Sequence, residues 1–194
     1  MRPGHGHKEG GKLAGHSFPP GSARRSAQLL ALRPDLRTDD LRGNVPTRVR
    51  KVVEGRYDAI LAARAGLLRL ALDVAPLRVH TFAAEEFVPA PAQGALAVQA
   101  RAGDALRAGD ERVHAAAAAL HDPATARAVA AERLLLAALE GGCNLPLGAY
   151  ATLCGDAVHL IAALGRADGG LRRCAVKAAD PAAAAAAALR ELTA

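Results

Sequence analysis

The sequence predicts an α/β chain in two parts: a parallel α/β unit, then a small α+β domain with a three-stranded antiparallel sheet and helices. Three observations predict it. Up to residue 120, short apolar segments alternate with helical patterns at close spacing, which is how a parallel sheet with crossover helices reads. Beyond residue 146, three short apolar runs are separated by the hairpin signals Gly155-Asp156 and Asp168-Gly169-Gly170. With 194 residues, 51% hydrophobic and 23% charged, the chain has material for one large domain or two small ones. The boundary is expected at residues 120–123, which gives a leader over 1–20, an α/β region over 21–120 and a C-terminal α+β domain over 121–194.

Residues 1–20 lack hydrophobic periodicity and are rich in Gly, Pro and His, so they read as a disordered leader. Ser22 is a plausible N-cap for a helix with Leu29, Leu30 and Leu32 on its apolar side, and Pro34 ends it. A second helix starts with Pro46 in its first turn and stops at Gly55. Residues 57–62 read as a strand and 67–72 as a helix; 79–88 and 93–99 read as further strands around Pro89-Ala90-Pro91, the second of them buried on both faces. Helices are expected over 104–120 and 123–139, the latter with Asp122 as cap, Pro123 at its start and Gly141-Gly142 past its end. Strands over 147–153, 157–164 and 172–177 precede a last helix over 181–192, whose alanine run is explained by helix propensity alone.

No apolar run has the roughly 18 to 20 residues of a membrane span, and the N-terminus has no apolar stretch of the signal-peptide kind. A cytoplasmic location without membrane contact is the expectation. Cys143, Cys154 and Cys174 are odd in number and lack CxxC spacing, which argues against a disulfide framework and against a zinc site. A net charge of +6 and a pI near 9.8 call for an anionic partner. Aromatics are only 3% and Trp is absent, so nucleic acid is the weaker candidate. Most of the positive charge is arginine, which grips carboxylates bidentately, so an acidic small molecule is the stronger one.

Arg24 and Arg25 follow Gly21-Ser22, Arg42 precedes Gly43-Asn44, Arg48 follows Pro46 and Arg69 follows Gly66. Guanidinium groups at turns and helix starts add to the partial positive charge of helix N-termini. Any one of them reads more readily as a solvated surface charge; as a set at turns they read as a site for a polycarboxylate. Cys143 lies in a loop after Gly141-Gly142 and before Pro146, accessible enough for reaction. Spacing alone leaves it an idle thiol.

The order of the motifs is more specific. Gly21-Ser22-Ala23-Arg24-Arg25-Ser26-Ala27-Gln28-Leu29, Leu41-Arg42-Gly43-Asn44-Val45-Pro46-Thr47-Arg48, Tyr57-Asp58-Ala59-Ile60-Leu61 and Ala65-Gly66-Leu67-Leu68-Arg69-Leu70 come first. Pro89-Ala90-Pro91-Ala92-Gln93-Gly94-Ala95, Ala131-Glu132-Arg133 and Glu140-Gly141-Gly142-Cys143-Asn144-Leu145-Pro146-Leu147-Gly148 follow. In this order they resemble successive motifs of the hydroxymethylbilane synthase (porphobilinogen deaminase) family, from Gly21 to the end of the sequence.

The resemblance implies a transferase that condenses four porphobilinogen molecules head to tail on a covalent dipyrromethane primer, with release of ammonia. It implies a periplasmic-binding-protein-like α/β unit, incomplete here, with 21–120 holding the second domain and the returning part of a first. It implies dipyrromethane on Cys143 through a thioether, with Arg24, Arg25, Arg42 and Arg48 binding its carboxylates, and Arg48 and Arg69 binding substrate. Porphobilinogen and polypyrrole intermediates are the expected partners of a monomer, without nucleic acid. The family's aspartate has no match in this sequence, so no catalytic residue is identified, and an N-terminally truncated chain, inactive alone, is the expectation. A noncatalytic carboxylate-binding remnant of the family is the alternative. Ala92 stands where the family has a glycine before Gln93-Gly94, a departure with consequences if that backbone needs a positive φ.

Overall fold

The structure is a computed structural model that describes residues 22–39, 41–101, 109–140 and 145–194. The leader and the Cys143 loop lie outside these residues. Among the described residues, six helices and one three-stranded antiparallel sheet are formed, in two compact units that meet in sequence at His80 and Thr81.

The N-terminal unit carries α1 (Ala23–Leu32), α2 (Val45–Val53) and α3 (Arg64–Arg69). Ser22 caps α1, its hydroxyl accepting from the Arg25 amide at 3.3 Å, and the Asn44 side chain caps α2 through the Thr47 amide at 3.0 Å. Leu29, Leu36, Leu41 and Val49 are its buried apolar side chains. α3 starts three residues ahead of the expected helix, and its last turn holds Arg69.

The C-terminal unit is built on β1 (Leu147–Cys154), β2 (Ala157–Gly165) and β3 (Leu171–Ala178), paired in that order. Cys154 pairs with Ala157, so Gly155-Asp156 is a two-residue turn, and Gly155 at φ 61° supplies the positive φ that a type II′ turn needs at its first central position. One face of the sheet buries Leu147, Ala149, Ala151, Val158, Leu160, Ala162, Cys174 and Val176 against α5 (Pro123–Ala138) and α6 (Pro181–Thr193). Burying Leu135 or Leu160, both fully enclosed, stabilises the unit by about 1.5–3 kcal/mol each. In α6, Ala184, Ala188 and Leu192 recur every four residues on the buried side. The alanine run thus serves packing as well as propensity.

α5 begins as expected, with the Asp122 carboxylate capping it through the Thr125 amide at 2.6 Å, whereas α4 (Asp110–Ala119) starts after a left-handed Gly109, later than the expected residue 104; residues 104–108 lie outside the described ones. The left-handed residue after α5 is Glu140, at φ 48°, one position before the glycines expected to stop the helix.

The parallel sheet is corrected by the structure: residues 57–62, 79–88 and 93–99 form no strands, and no parallel pair exists among the described residues. A strand covered on both faces needs a hydrogen-bonded neighbour, and no described segment supplies one. Val79, Leu96 and Val98 are exposed instead, Leu96 at 81%. Local turns take the rest of the pattern: the Gln93 amide donates to the Ala90 carbonyl and the Ala95 amide to the Ala92 carbonyl, so Pro91–Gly94 turns rather than extends.

Candidate carboxylate-binding site

In the N-terminal unit, Arg24 and Arg25 stand in the first turn of α1, and Arg48 in the first turn of α2. Arg24 is 8% exposed, which is unusual for a guanidinium. Burial, and then the charge of Arg25, pull its pKa down to about 10. The pKa of Arg25 is lowered by burial and then by the charge of Arg48. Arg25 thus lies close enough to disfavour the charge of Arg24, and Arg48 close enough to disfavour that of Arg25, an effect that a bound dianion would reverse.

The local fold holds this cluster through backbone carbonyls. Arg25 donates from Nη1 to the Leu61 carbonyl at 3.2 Å, tying α1 to the segment before α3. Arg48 Nε donates to the Gly43 carbonyl at 2.7 Å, and Lys51 Nζ to the Arg42 carbonyl at 3.2 Å, so the turn carrying Arg42 is fastened to α2. Ser22 and Asn44 each occupy one of the amides at the helix starts. Positive charge at this site therefore comes mainly from side chains, more than from helix N-termini.

The structure brings Arg24, Arg25 and Arg48 together. Arg42 lies exposed in the adjacent turn, and Arg69 lies exposed in the last turn of α3 rather than at a helix start. Cys143 falls outside the described residues. Of the other thiols, Cys154 is exposed at the end of β1; Cys174 is buried in the sheet core, where burial and then the Glu191 charge push its pKa up to about 11. Among the described residues no group of three His, Cys, Asp or Glu side chains could hold a metal ion, and no helix is long and apolar enough to cross a membrane.

Sequence reading missed the role of Glu132 on α5. Its side chain is buried, accepting from the Ala92 amide at 2.5 Å and from the Ala151 amide of β1 at 2.8 Å. Burial raises its pKa, against the lowering by these two amides. The signal available was a carboxylate set between Ala131 and Leu135 on a helix face that the apolar pattern marks as buried.

Two family models match the chain: "Porphobilinogen deaminase, dipyromethane cofactor binding domain" over residues 13–108, and "Porphobilinogen deaminase, C-terminal domain" over 126–191. The first range contains all five arginines of the predicted site, and the second contains Cys143. The chain is 47% identical over 152 residues to a porphobilinogen deaminase of Roseiflexus castenholzii, covering 78% of this chain and 48% of the relative. The protein of that name from Rubrobacter xylanophilus is 52% identical over 139 residues, covering 72% of this chain and 43% of the relative. A Bacillus thuringiensis relative is 46% identical over 153 residues, covering 77% and 47%. The chain thus spans somewhat under half the length of these relatives. Matched in two successive domains that together take in most of its length, the chain belongs to the porphobilinogen deaminase family.

Proposed function

We propose that the chain carries the carboxylate-binding and primer-attachment parts of a hydroxymethylbilane synthase, a transferase joining four porphobilinogen molecules head to tail with release of ammonia. The cluster of Arg24, Arg25 and Arg48, in which Arg24 is buried and the pKa values of Arg24 and Arg25 are lowered by burial and then by a neighbouring cation, carries this reading. Each pyrrole added brings two carboxylates, so negative charge accumulates as the product grows and must be met by guanidinium groups. Arg24, Arg25, Arg42 and Arg48 hold the acidic groups of the dipyrromethane, with Arg48 and Arg69 receiving those of incoming porphobilinogen. Arg69, exposed at the end of α3, is free to reorient toward a ligand.

Cys143 is the attachment point, where a thioether-bound dipyrromethane supplies a primer that cannot diffuse away between additions. Residues 21–120 are part of a periplasmic-binding-protein-like unit; the apolar side chains of Val79, Leu96 and Val98, exposed at strand-patterned positions, support this. A domain boundary at 120–123 is supported by the gap between the two matched ranges. The working form is a cytoplasmic monomer.

Intact-mass measurement tests the attachment. Wild type expressed alongside the pathway is expected to carry a dipyrromethane-sized adduct, absent from Cys143→Ser. An unmodified wild-type mass under those conditions would favour the noncatalytic remnant.

A further inference from the structure

Among the described residues of the C-terminal unit, Glu132 is a buried carboxyl group that the proposed function does not use. β1 is an edge strand, and the amides of Ala149 and Ala151 point away from β2 on its open side. The segment 88–92 runs along this edge: the Ala149 amide donates to the Pro89 carbonyl at 2.9 Å, and Val88 is fully buried. A Cβ on Gly148 would come within 2.7 Å of the Val88 carbonyl oxygen, so this approach depends on glycine. The segment then turns at Pro91–Gly94, and among the described contacts it offers Ala151 no backbone acceptor. The Glu132 side chain fills that gap, with Oε1 accepting from Ala151 and Oε2 from Ala92.

Ala92 has φ 60°, a left-handed conformation that costs a residue with a Cβ about 1 kcal/mol or more. Its amide is held by the carboxyl group alone among the described contacts, while Ala92 itself faces a cleft of about 450 Å³. Pro91 and Ala92 form one side of that cleft, and Arg133, Leu136, Ala137 and Glu140 form the other. Ala92 lies in the range matched by the first family model, and Glu132 and Ala151 lie in the range matched by the second.

We infer that Glu132 is a positioning residue: its two carboxyl oxygens pin the strained Pro91-Ala92 turn to β1 and α5, fixing one wall of the Arg133 cleft and joining the two family-matched ranges. This stands whether or not Cys143 carries a primer. The geometry requires two acceptors, since both groups facing the side chain are N–H donors. A glutamine keeps one oxygen and turns an NH₂ toward the other amide, so Glu132→Gln releases either Ala92 or Ala151 at almost constant volume.

Peptide-resolved hydrogen exchange on the full chain tests the inference. In Glu132→Gln, exchange over residues 88–96 or over 147–154 is expected to accelerate on the order of tenfold to a hundredfold, as for a lost hydrogen bond to a charged acceptor, while residues 157–178 keep wild-type rates. Unchanged rates over both 88–96 and 147–154, or equal acceleration over 157–178, would overturn it. If Glu132→Gln does not fold, wild type decides the matter: the Ala92 amide should be protected although it lies outside any helix or strand. Exchange of Ala92 as fast as that of exposed Gly94 would also overturn the inference.

Discussion

The two units solve the problem of cohesion differently. In the C-terminal unit, fourteen buried side chains from two helices and three strands form one contiguous cluster. Among the described residues of the N-terminal unit, four buried apolar side chains, Leu29, Leu36, Leu41 and Val49, accompany the buried cation of Arg24 and the half-buried one of Arg25. The comparison teaches where each unit's free energy goes. The sheet unit is stabilised by burial and can support a demanding loop, whereas the arginine unit keeps like charges together at a cost that an acidic ligand offsets.

The sharpest break of this comparison is at Leu160, fully buried in β2. Leu160→Ala should destabilise the C-terminal unit by about 2–5 kcal/mol, read as a lower denaturant midpoint, and should open Cys174 to alkylation. In the wild type Cys154 should react readily and Cys174 only on unfolding, because its thiol is enclosed and its pKa is pushed up to about 11. Equal reactivity of the two would show that the cluster is not closed.

Gly148→Ala comes next. The added methyl group collides with Val88 backbone and side chain, so a loss of about 1–3 kcal/mol is expected, with faster exchange over 88–92. A neutral outcome would mean that segment 88–92 is not seated on β1.

A smaller effect concerns pH. The folded pKa of Glu132 is raised by burial, so the folded state holds the proton more tightly than the unfolded chain does. The group's contribution is fully present below the unfolded carboxyl pKa and is lost as pH rises through the raised folded value. Denaturant midpoints of wild type should therefore fall across that window, while those of Glu132→Gln, which has no proton to lose there, stay level. Parallel profiles for the two proteins would show that the carboxyl group is not held in a desolvated site. The smallest effect expected is at Ala92, where Ala92→Gly should stabilise by about 0.5–1 kcal/mol by removing positive-φ strain.

Legibility followed how local the signals are. From residue 122 onward the chain was readable nearly to the residue: Asp122 with Pro123, the Gly155-Asp156 turn, and strands alternating in burial. The N-terminal helices were readable from Ser22, Asn44 and Pro46 for the same reason. Residues 57–62 and 93–99 misled because an apolar run states a wish for burial and says nothing of whether a partner strand is at hand. The arginine motifs at α1 and α2 were legible as a set, but that Arg24, Arg25 and Arg48 share a neighbourhood while Arg69 closes α3 is a matter of tertiary placement. The question of a positive φ at residue 92 was visible in the departure from glycine, and φ 60° there answers it; the Glu132 contact that holds it, forty residues away, was not visible.

The central claim, that the Arg24, Arg25 and Arg48 cluster is a carboxylate site, is tested most directly by measuring porphobilinogen affinity for wild type, Arg48→Gln and the exposed-arginine control Arg37→Gln. The account predicts that Arg48→Gln weakens binding by on the order of tenfold to a hundredfold, as for a lost charge-assisted contact, while Arg37→Gln leaves it unchanged. Equal affinity in all three proteins would contradict it.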